Sequence, residues 1–182
     1  MFQVRIHGRG GQGVVTAAEM LSIAAFLEEK HAQAFPSFGS ERMGAPVVSF
    51  CRIADREIRL REPINHPNAV IIQDKTVIEP ANAIDGIVDG GYVLINSSKK
   101  IENLDINIKN VNISYVGATE IALEHIGKPL PNAVLLGSFA ALTGIIKIDS
   151  VLAAIKTKFS GAIAEKNVNA AISAYETVKA ST

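Results

Sequence analysis

The chain has 182 residues, 48% of them hydrophobic, and its 18 basic and 18 acidic side chains cancel to a formal net charge of zero. We expect one domain, residues 1–182, with a sizeable buried core. The balanced charge excludes a general attraction to nucleic acid or to an anionic membrane. The sequence has neither the pattern of a signal peptide nor an apolar run near the roughly 20 residues that cross a bilayer, so we expect a cytoplasmic protein.

The single cysteine limits which cofactors the chain could hold. One thiol forms no internal disulfide and cannot supply the several thiolates of an iron–sulfur cluster or a structural zinc site. Cys51 ends the apolar run Val47–Cys51, which favours a buried, inert side chain. Four histidines are scattered without metal-ligand spacing: His7, His31, His66 and His125. We therefore expect no metal site in this chain.

Short alternating apolar segments and longer periodic ones predict an α/β order in the first half of the chain. Phe2–His7 is predicted as the first strand, Gln12–Glu29 as a helix and His31–Phe35 as the second strand. This strand–helix–strand unit implies a right-handed crossover. Val47–Ile53 and Glu57–Leu60 are predicted to form a β-hairpin.

The second half is predicted to contain more strands and then mainly helices. Strands are expected at residues 69–73, 92–95 and 111–116, with a short helix after the first of them. Helices are expected at 118–126, 132–145 and 164–179, and another is capped by Asp149 and runs to about Lys158. The predicted fold class is α/β, with a mostly parallel sheet, a β-hairpin insertion and a helical C-terminal third.

The glycine-rich stretch between the first strand and the first helix carries the main functional signal. It follows the Gly-x-Gly-x-x-Gly pattern of dinucleotide-binding loops and consists of Gly8, Arg9, Gly10, Gly11, Gln12 and Gly13. Residues without a β-carbon let the main chain approach a phosphate, and free amides at a helix start attract negative charge. A turn that serves only packing has the same composition, so both interpretations stay open at this point.

Several signals of catalysis are missing. A nicotinamide-binding domain places a carboxylate at the tip of its second strand, but the tip here, Ala34–Ser37, carries no acid, which disfavours an NAD-dependent dehydrogenase. There is no Gly-x-Ser-x-Gly elbow and no lysine that would close a P-loop. Asp74 follows a predicted strand, where an aspartate more often caps the next helix than it catalyses. We identify no catalytic residue, and the chain is interpreted as a binding domain.

The loop Pro36–Pro46 is the second unusual segment, because proline, serine and glycine surround Glu41 and Arg42. One interpretation is a solvated loop with an internal ion pair. The other places the loop at the carboxyl edge of the second strand, beside the glycine loop, where ligands bind in open α/β sheets. Its position favours the second interpretation.

Landmarks along nearly the whole chain carry a family resemblance. They are residues 8–13, residues 32–39 with the Phe-Pro-Ser-Phe-Gly run, Glu41-Arg42 with residues 44–46, Asn132 with residues 136–139, and Lys166-Asn167. In this combination and order they resemble the gamma subunits of 2-oxoacid:ferredoxin oxidoreductases, most closely those of pyruvate:ferredoxin oxidoreductase (pyruvate synthase).

The resemblance implies a Rossmann-like three-layer domain that is one subunit of a heterotetramer with alpha, beta and ferredoxin-like delta subunits. Thiamine diphosphate, Mg²⁺ and the iron–sulfur clusters would lie on those partner subunits, and coenzyme A at or near this chain. The complex would convert pyruvate, coenzyme A and two oxidised ferredoxins to acetyl-CoA, CO2, two reduced ferredoxins and a proton, reversibly.

Coenzyme A carries a pyrophosphate and a 3′-phosphate and has no free ribose diol, which matches a glycine loop without its usual acid. The resemblance therefore implies that Gly8–Gly13 surround the phosphates, with Arg9 and Arg42 as charge partners. For Arg42 an ion pair with Glu41 and a contact with another subunit are the alternatives.

Two positions depart from the family pattern: Ser40 and Met43 stand where proline and arginine are expected. Without an arginine at position 43, the Pro36–Pro46 loop is less suited to hold a phosphate. This favours a contact with another subunit, where methionine is common. Two further alternatives remain for the whole protein. One is a gamma subunit for another 2-oxoacid, such as 2-oxoisovalerate, 2-oxoglutarate or indolepyruvate, and the other is a stand-alone nucleotide-binding protein.

Overall fold

The computed structural model describes residues 1–37, 43–102, 104 and 110–181, which form six β-strands and five α-helices. The strands are β1 (Phe2–Arg9), β2 (His31–Pro36), β3 (Pro46–Ala54), β4 (Ala69–Ile72), β5 (Tyr92–Asn96) and β6 (Asn112–Val116). The helices are α1 (Val14–Leu27), α2 (Ala118–Ile126), α3 (Asn132–Thr143), α4 (Ile148–Lys158) and α5 (Gly161–Ser181).

The strands form one mixed sheet in the order β2-β3-β1-β4-β5-β6. Strands β1, β4, β5 and β6 run parallel, and β3 pairs antiparallel with both β2 and β1. In this register Val4 of β1 lies opposite Ala69 of β4 on one side and Cys51 of β3 on the other. The predicted α/β fold with a mostly parallel sheet is confirmed.

A β-hairpin is present, but its strands are not the predicted ones. It consists of β2 and β3, which pair from His31 opposite Ala54 to Pro36 opposite Ser49. Glu57–Leu60 forms no strand and is largely exposed. The prediction was wrong because β3 finds a partner on each side, in β2 and in β1, and no strand edge is left for the charged segment that follows it.

The two faces of the sheet are covered by different kinds of structure. Val4 and Ile6 of β1 face the larger core, which all five helices join. The opposite face packs under a 3₁₀ helix, Lys75–Val77, and the turns that follow it. Arg5 and His7 of β1 are buried and alternate with the residues that face the helices. The three expected layers are therefore helices, sheet and an irregular third layer.

The C-terminal helices pack tightly where small residues meet. A β-carbon on Gly137 of α3 would lie 2.1 Å from the carbonyl oxygen of Ala171 on α5, so only glycine allows this approach. Asp149 lies in the first turn of α4 and does not cap it, because the helix begins at Ile148 and Lys147 takes the cap position. The helical C-terminal third is confirmed, and the predicted cap residue is wrong.

Candidate functional site

The glycine loop lies where the connections of the sheet diverge. From β1 the chain runs through α1, on the helical face of the sheet, to β2 at one edge. From β4 the chain runs through the 3₁₀ helix, on the opposite face, to β5. The carboxyl ends of β1 and β4 are therefore neighbours whose continuations separate. In open α/β sheets such a switch point forms the crevice that binds ligands.

Several amides of the glycine loop are already used inside the protein. The amide of Arg9 donates to Oε1 of Gln12 at 2.8 Å, and the amide of Gln12 donates back to the carbonyl of Arg9 at 3.1 Å. The amide of Gly10 donates to the carbonyl of Ala45 at 2.9 Å. These bonds fix the shape of the loop. The three N–H groups that form them are not available to a ligand.

The remaining donors belong to Gly11, Gly13 and the start of α1. The amides of Gly11 and Gly13 donate to no group in the described part of the chain. Gly13 takes the cap position of α1 in a left-handed conformation (φ 73°), and no side chain of the described residues caps the helix. The first-turn amides of α1 are therefore open, and no acidic residue lies among them. Such a helix start attracts an anion.

Packing explains two of the glycines. A β-carbon on Gly8 would lie 2.7 Å from Cγ2 of Val14, and one on Gly13 would lie 2.6 Å from Nδ2 of Asn132. Both distances are too short for any other residue unless a neighbour moves. The packing interpretation of the motif therefore holds for these two positions.

Gly11 has a different environment. Its φ of 93° disfavours other residues, but an added β-carbon would meet only the end of the Met43 side chain, at 2.9 Å from Cε. Met43 is 86% exposed and forms a parallel bridge with Gly10. Among the described residues, therefore, nothing rigid covers Gly11, which lies beside a flexible thioether.

Asn132 contributes a donor that sequence reasoning did not assign to the site. Its side chain is 6% exposed, and Oδ1 accepts the amide of Ala133 at 3.0 Å. This bond fixes the orientation of the side-chain amide, because only oxygen accepts from an N–H. Nδ2 then lies beside Gly13 and donates to no group among the described residues. The signal available in the sequence was Asn132 as a family landmark, without a role.

Arg9 ties three segments together at the rim of the crevice. Its guanidinium donates from Nε and Nη2 to Oγ1 of Thr76 at 2.9 and 2.7 Å, and from Nη1 to the carbonyl of Gly44 at 2.8 Å. Asp74 lies 3.6 Å from Nε. The predicted site residue is thus adjacent to the open amides, and its charge is partly neutralised inside the protein.

Asp74 acts as the cap that the sequence indicated. Oδ1 accepts the amide of Thr76 at 2.9 Å, and Oδ2 accepts Nε2 of Gln12 at 2.9 Å. Partial burial alone would raise the pKa of this carboxyl, but the bonds from Thr76 and Gln12 and the charge of Arg9 outweigh burial and lower it. The carboxylate holds the loop in place.

The described end of the Pro36–Pro46 loop lies beside the glycine loop, as the second interpretation predicted. Gly44 donates its amide to the carbonyl of Gly10 at 3.1 Å, next to the bond between Gly10 and Ala45. Arg42 and Glu41 lie outside the described residues, as does Ser40. The predicted role of Arg42 stays a prediction.

The chain offers poor ligands for metal clusters. Cys51 is fully buried, and burial raises the pKa of its thiol to about 12, so a metal-binding thiolate is strongly disfavoured. Within the described ranges, no three His, Cys, Asp or Glu side chains are grouped as metal ligands. In the same ranges, no helix combines the length and apolar character of a membrane span.

An open, mostly parallel sheet with a glycine loop at its switch point defines the class of Rossmann-like α/β domains. The chain belongs to the pyruvate ferredoxin/flavodoxin oxidoreductase family, whose model matches residues 3–177. It is 46% identical over 178 residues to the pyruvate/ketoisovalerate oxidoreductases common subunit gamma of Thermococcus litoralis, covering 97% of this chain and 96% of that protein. The predicted family and the assignment as a gamma subunit are confirmed.

One solved structure agrees with this assignment, and a second shares the fold. The pyruvate oxidoreductase subunit PORC (EC 1.2.7.1) of Thermotoga maritima superposes with a TM-score of 0.83 at 34% identity, over 96% of this chain and 95% of that chain. The 2-oxoglutarate:ferredoxin oxidoreductase of Magnetococcus marinus, with 2-oxoglutarate, coenzyme A and succinyl-CoA bound, shares the fold at a TM-score of 0.82 and 17% identity. This chain aligns over its full length with 31% of that larger chain.

Proposed function

We propose that this chain supplies the phosphate-binding part of the coenzyme A site in a pyruvate:ferredoxin oxidoreductase. The complex catalyses the reversible conversion of pyruvate, coenzyme A and two oxidised ferredoxins to acetyl-CoA, CO2, two reduced ferredoxins and a proton. Alpha, beta and ferredoxin-like delta subunits are the partners in this proposal, and the assembly works in the cytoplasm. Thiamine diphosphate, Mg²⁺ and the iron–sulfur clusters reside on the partners, in agreement with the buried, single Cys51 of this chain.

One observation carries the proposal: donors that have no partner among the described residues converge at the start of α1. They are the amides of Gly11 and Gly13, the first-turn amides of the helix and Nδ2 of Asn132. Their positive ends lie together without an acidic side chain in the first turn, which suits a pyrophosphate and disfavours a neutral ligand. Arg9 stands at the rim and holds the loop in shape through its bonds to Thr76 and Gly44.

The choice of 2-oxoacid belongs to the partner subunits in this proposal. The relative from Thermococcus litoralis is described as a gamma subunit common to pyruvate and ketoisovalerate oxidoreductases. Coenzyme A is shared by such reactions, whereas the oxoacid is not. Pyruvate is the proposed substrate here, and 2-oxoisovalerate, 2-oxoglutarate or indolepyruvate would require other thiamine-bearing partners and no change in this site.

The test replaces Gly11 by alanine in the assembled complex and measures the KM for coenzyme A. The change strains the backbone at φ 93° and redirects the loop amides, so we expect the KM to rise at least tenfold with kcat less affected. Gly127→Ala is the matched control: its φ is 79°, no described atom lies within 4 Å of the added β-carbon, and it caps α2. Equal KM values in the two variants would refute the proposal.

A further inference from the structure

The hydroxyl group of Thr76, in the 3₁₀ helix that follows β4, uses its full hydrogen-bonding capacity. A hydroxyl donates one hydrogen bond and accepts two. Oγ1 of Thr76 accepts Nε and Nη2 of Arg9 at 2.9 and 2.7 Å, and it donates to Oδ1 of Asp74 at 2.6 Å. Because a guanidinium only donates, the two bonds from Arg9 use both lone pairs and the hydroxyl proton points to Asp74. Thr76 therefore joins the cation of the glycine loop to the carboxylate after β4.

The same oxygen determines where the guanidinium of Arg9 lies. Nε and Nη2 both point at Oγ1 of Thr76, and Nη1 then donates to the carbonyl of Gly44 at 2.8 Å. Asp74 also attracts the guanidinium, but its Oδ2 lies 3.6 Å from Nε and already accepts Nε2 of Gln12. Without the hydroxyl, the Asp74 carboxylate is the nearest acceptor for Nε. We expect Arg9 to turn toward it and to release Gly44.

The carbonyl of Gly44 matters because the backbone of this residue is bonded to the glycine loop. The amide of Gly44 donates to the carbonyl of Gly10 at 3.1 Å, and the amide of Gly10 donates to the carbonyl of Ala45 at 2.9 Å. No described atom lies within 4 Å of the position of a β-carbon on Gly44, so packing on that side does not hold the residue. The side-chain link through Arg9 therefore reinforces two backbone bonds that have little other support.

The backbone of Thr76 has a separate role, which a substitution of the side chain leaves intact. Its amide donates to Oδ1 of Asp74 at 2.9 Å, and this bond caps the 3₁₀ helix. The side chain itself is exposed, so its replacement opens no cavity in the core. A change at position 76 therefore reports on the hydroxyl and on Arg9, and not on the stability of the fold.

We infer that Thr76 is a positioning residue: its hydroxyl orients Arg9, and Arg9 holds Gly44 beside the glycine loop. It acts through Arg9 and is not itself a ligand of the substrate. Its effect on catalysis rests on the proposed function, because a loop of fixed shape presents its open amides to the phosphates. The link from Thr76 to Gly44 consists of protein atoms alone, so it is measurable without a ligand.

The first test compares Thr76→Val, which keeps the shape of the side chain without the hydroxyl, with Thr76→Ser, which keeps the hydroxyl. Thr157→Val is the matched control, because it removes an exposed hydroxyl that donates to the carbonyl of Ala153 in its own helix. Hydrogen exchange of residues 8–13 and 43–46 is followed by mass spectrometry in the purified, ligand-free complex. We expect exchange to accelerate about threefold to tenfold in Thr76→Val, the effect of about one hydrogen bond, and to stay unchanged in the other two variants.

The second test measures turnover with coenzyme A as the varied substrate. The KM for coenzyme A should rise about threefold to tenfold in Thr76→Val with kcat less affected, and Thr76→Ser should restore the wild-type value. Because Thr76 acts through Arg9, the double variant Thr76→Val/Arg9→Met should have the same KM as Arg9→Met alone.

Three results would overturn the inference: unchanged exchange in Thr76→Val, equal acceleration in Thr76→Val and Thr76→Ser, or a double variant with a higher KM than Arg9→Met. A KM that rises in Gly11→Ala but not in Thr76→Val would overturn it as well. Faster exchange in Thr76→Val, with an unchanged KM in both Thr76→Val and Gly11→Ala, would support the link from Thr76 to Gly44 and refute the phosphate site.

Discussion

Nδ2 of Asn132 lies 2.6 Å from the position that a β-carbon would occupy on Gly13. The start of α3 therefore meets the start of α1, and a residue 119 positions further along the chain closes the side of the glycine loop. This contact explains why the motif ends in glycine, and it brings a buried side-chain donor to the helix terminus that we propose binds phosphate.

Gly13→Ala should destabilise the chain through two separable effects. The left-handed backbone costs alanine about 1 kcal/mol or more, and the clash with Asn132 adds a similar amount. In Gly13→Ala/Asn132→Ala the clash is absent, so the double variant should be more stable than the sum of the single changes predicts. Denaturant unfolding of the four proteins measures this. Strict additivity would show that the two residues do not interact.

Met43→Arg should strengthen coenzyme A binding. The Met43 side chain is 86% exposed, and its end lies beside Gly11. An arginine at this position would therefore place a charge near the proposed phosphates at little cost to folding. We expect the KM for coenzyme A to fall severalfold at low ionic strength and the gain to shrink in high salt. Met43→Gln is the control for side-chain length. A gain that persists unchanged in high salt would argue against a charge effect.

Arg9 is expected to act mainly through geometry. Its guanidinium donates to Thr76 and to Gly44 at the same time. A lysine keeps the charge but cannot reproduce that pattern of hydrogen bonds. Arg9→Lys and Arg9→Met should therefore raise the KM for coenzyme A by similar factors, roughly threefold to tenfold. If lysine restored the wild-type KM and methionine did not, direct contact between the charge and a phosphate would be the better account.

His7 should make the chain sensitive to mild acid. Burial, and secondarily the charge of Arg5, lowers the pKa of His7 to about 3, and neither ring nitrogen has a partner among the described residues. Between pH 6.5 and about 3 the unfolded chain binds a proton that the folded chain does not, so stability falls as pH falls, by about 1.4 kcal/mol per unit. The contribution is absent above pH 6.5.

His7→Leu removes this proton uptake. Unfolding free energies measured from pH 7 to pH 5 should fall less steeply in the variant than in the wild type. Identical slopes would show that His7 is protonated in the folded chain, or that it is not buried as described.

The sequence predicted those parts of the fold that depend on local pattern. Residues 118–126 form α2 as expected, and the start of α3 at Asn132 was also predicted, because periodicity and small flanking residues determine them. The position of β3 between β2 and β1 was not predictable, because strand order depends on long-range pairing. The same limit applies to the candidate site: the glycine loop is visible in sequence, whereas Asn132 meets it only through tertiary packing.

Which loop amides are open could not be read from the motif either. The motif does not distinguish its glycines, but in the structure the amide of Gly10 bonds Ala45, whereas those of Gly11 and Gly13 donate to no described residue. Gly8 is required by Val14 and Gly13 by Asn132, so a packing role and the proposed binding role lie within the same six residues.

A structure of the assembled complex with coenzyme A bound tests the central claim most directly. The quantity to measure is the distance from the pyrophosphate oxygens to the amide nitrogens of Gly11 and Gly13 and to Nδ2 of Asn132. We predict hydrogen-bond distances of about 3 Å to at least two of these atoms. A pyrophosphate held by another subunit, with these three nitrogens facing only solvent, would contradict the account.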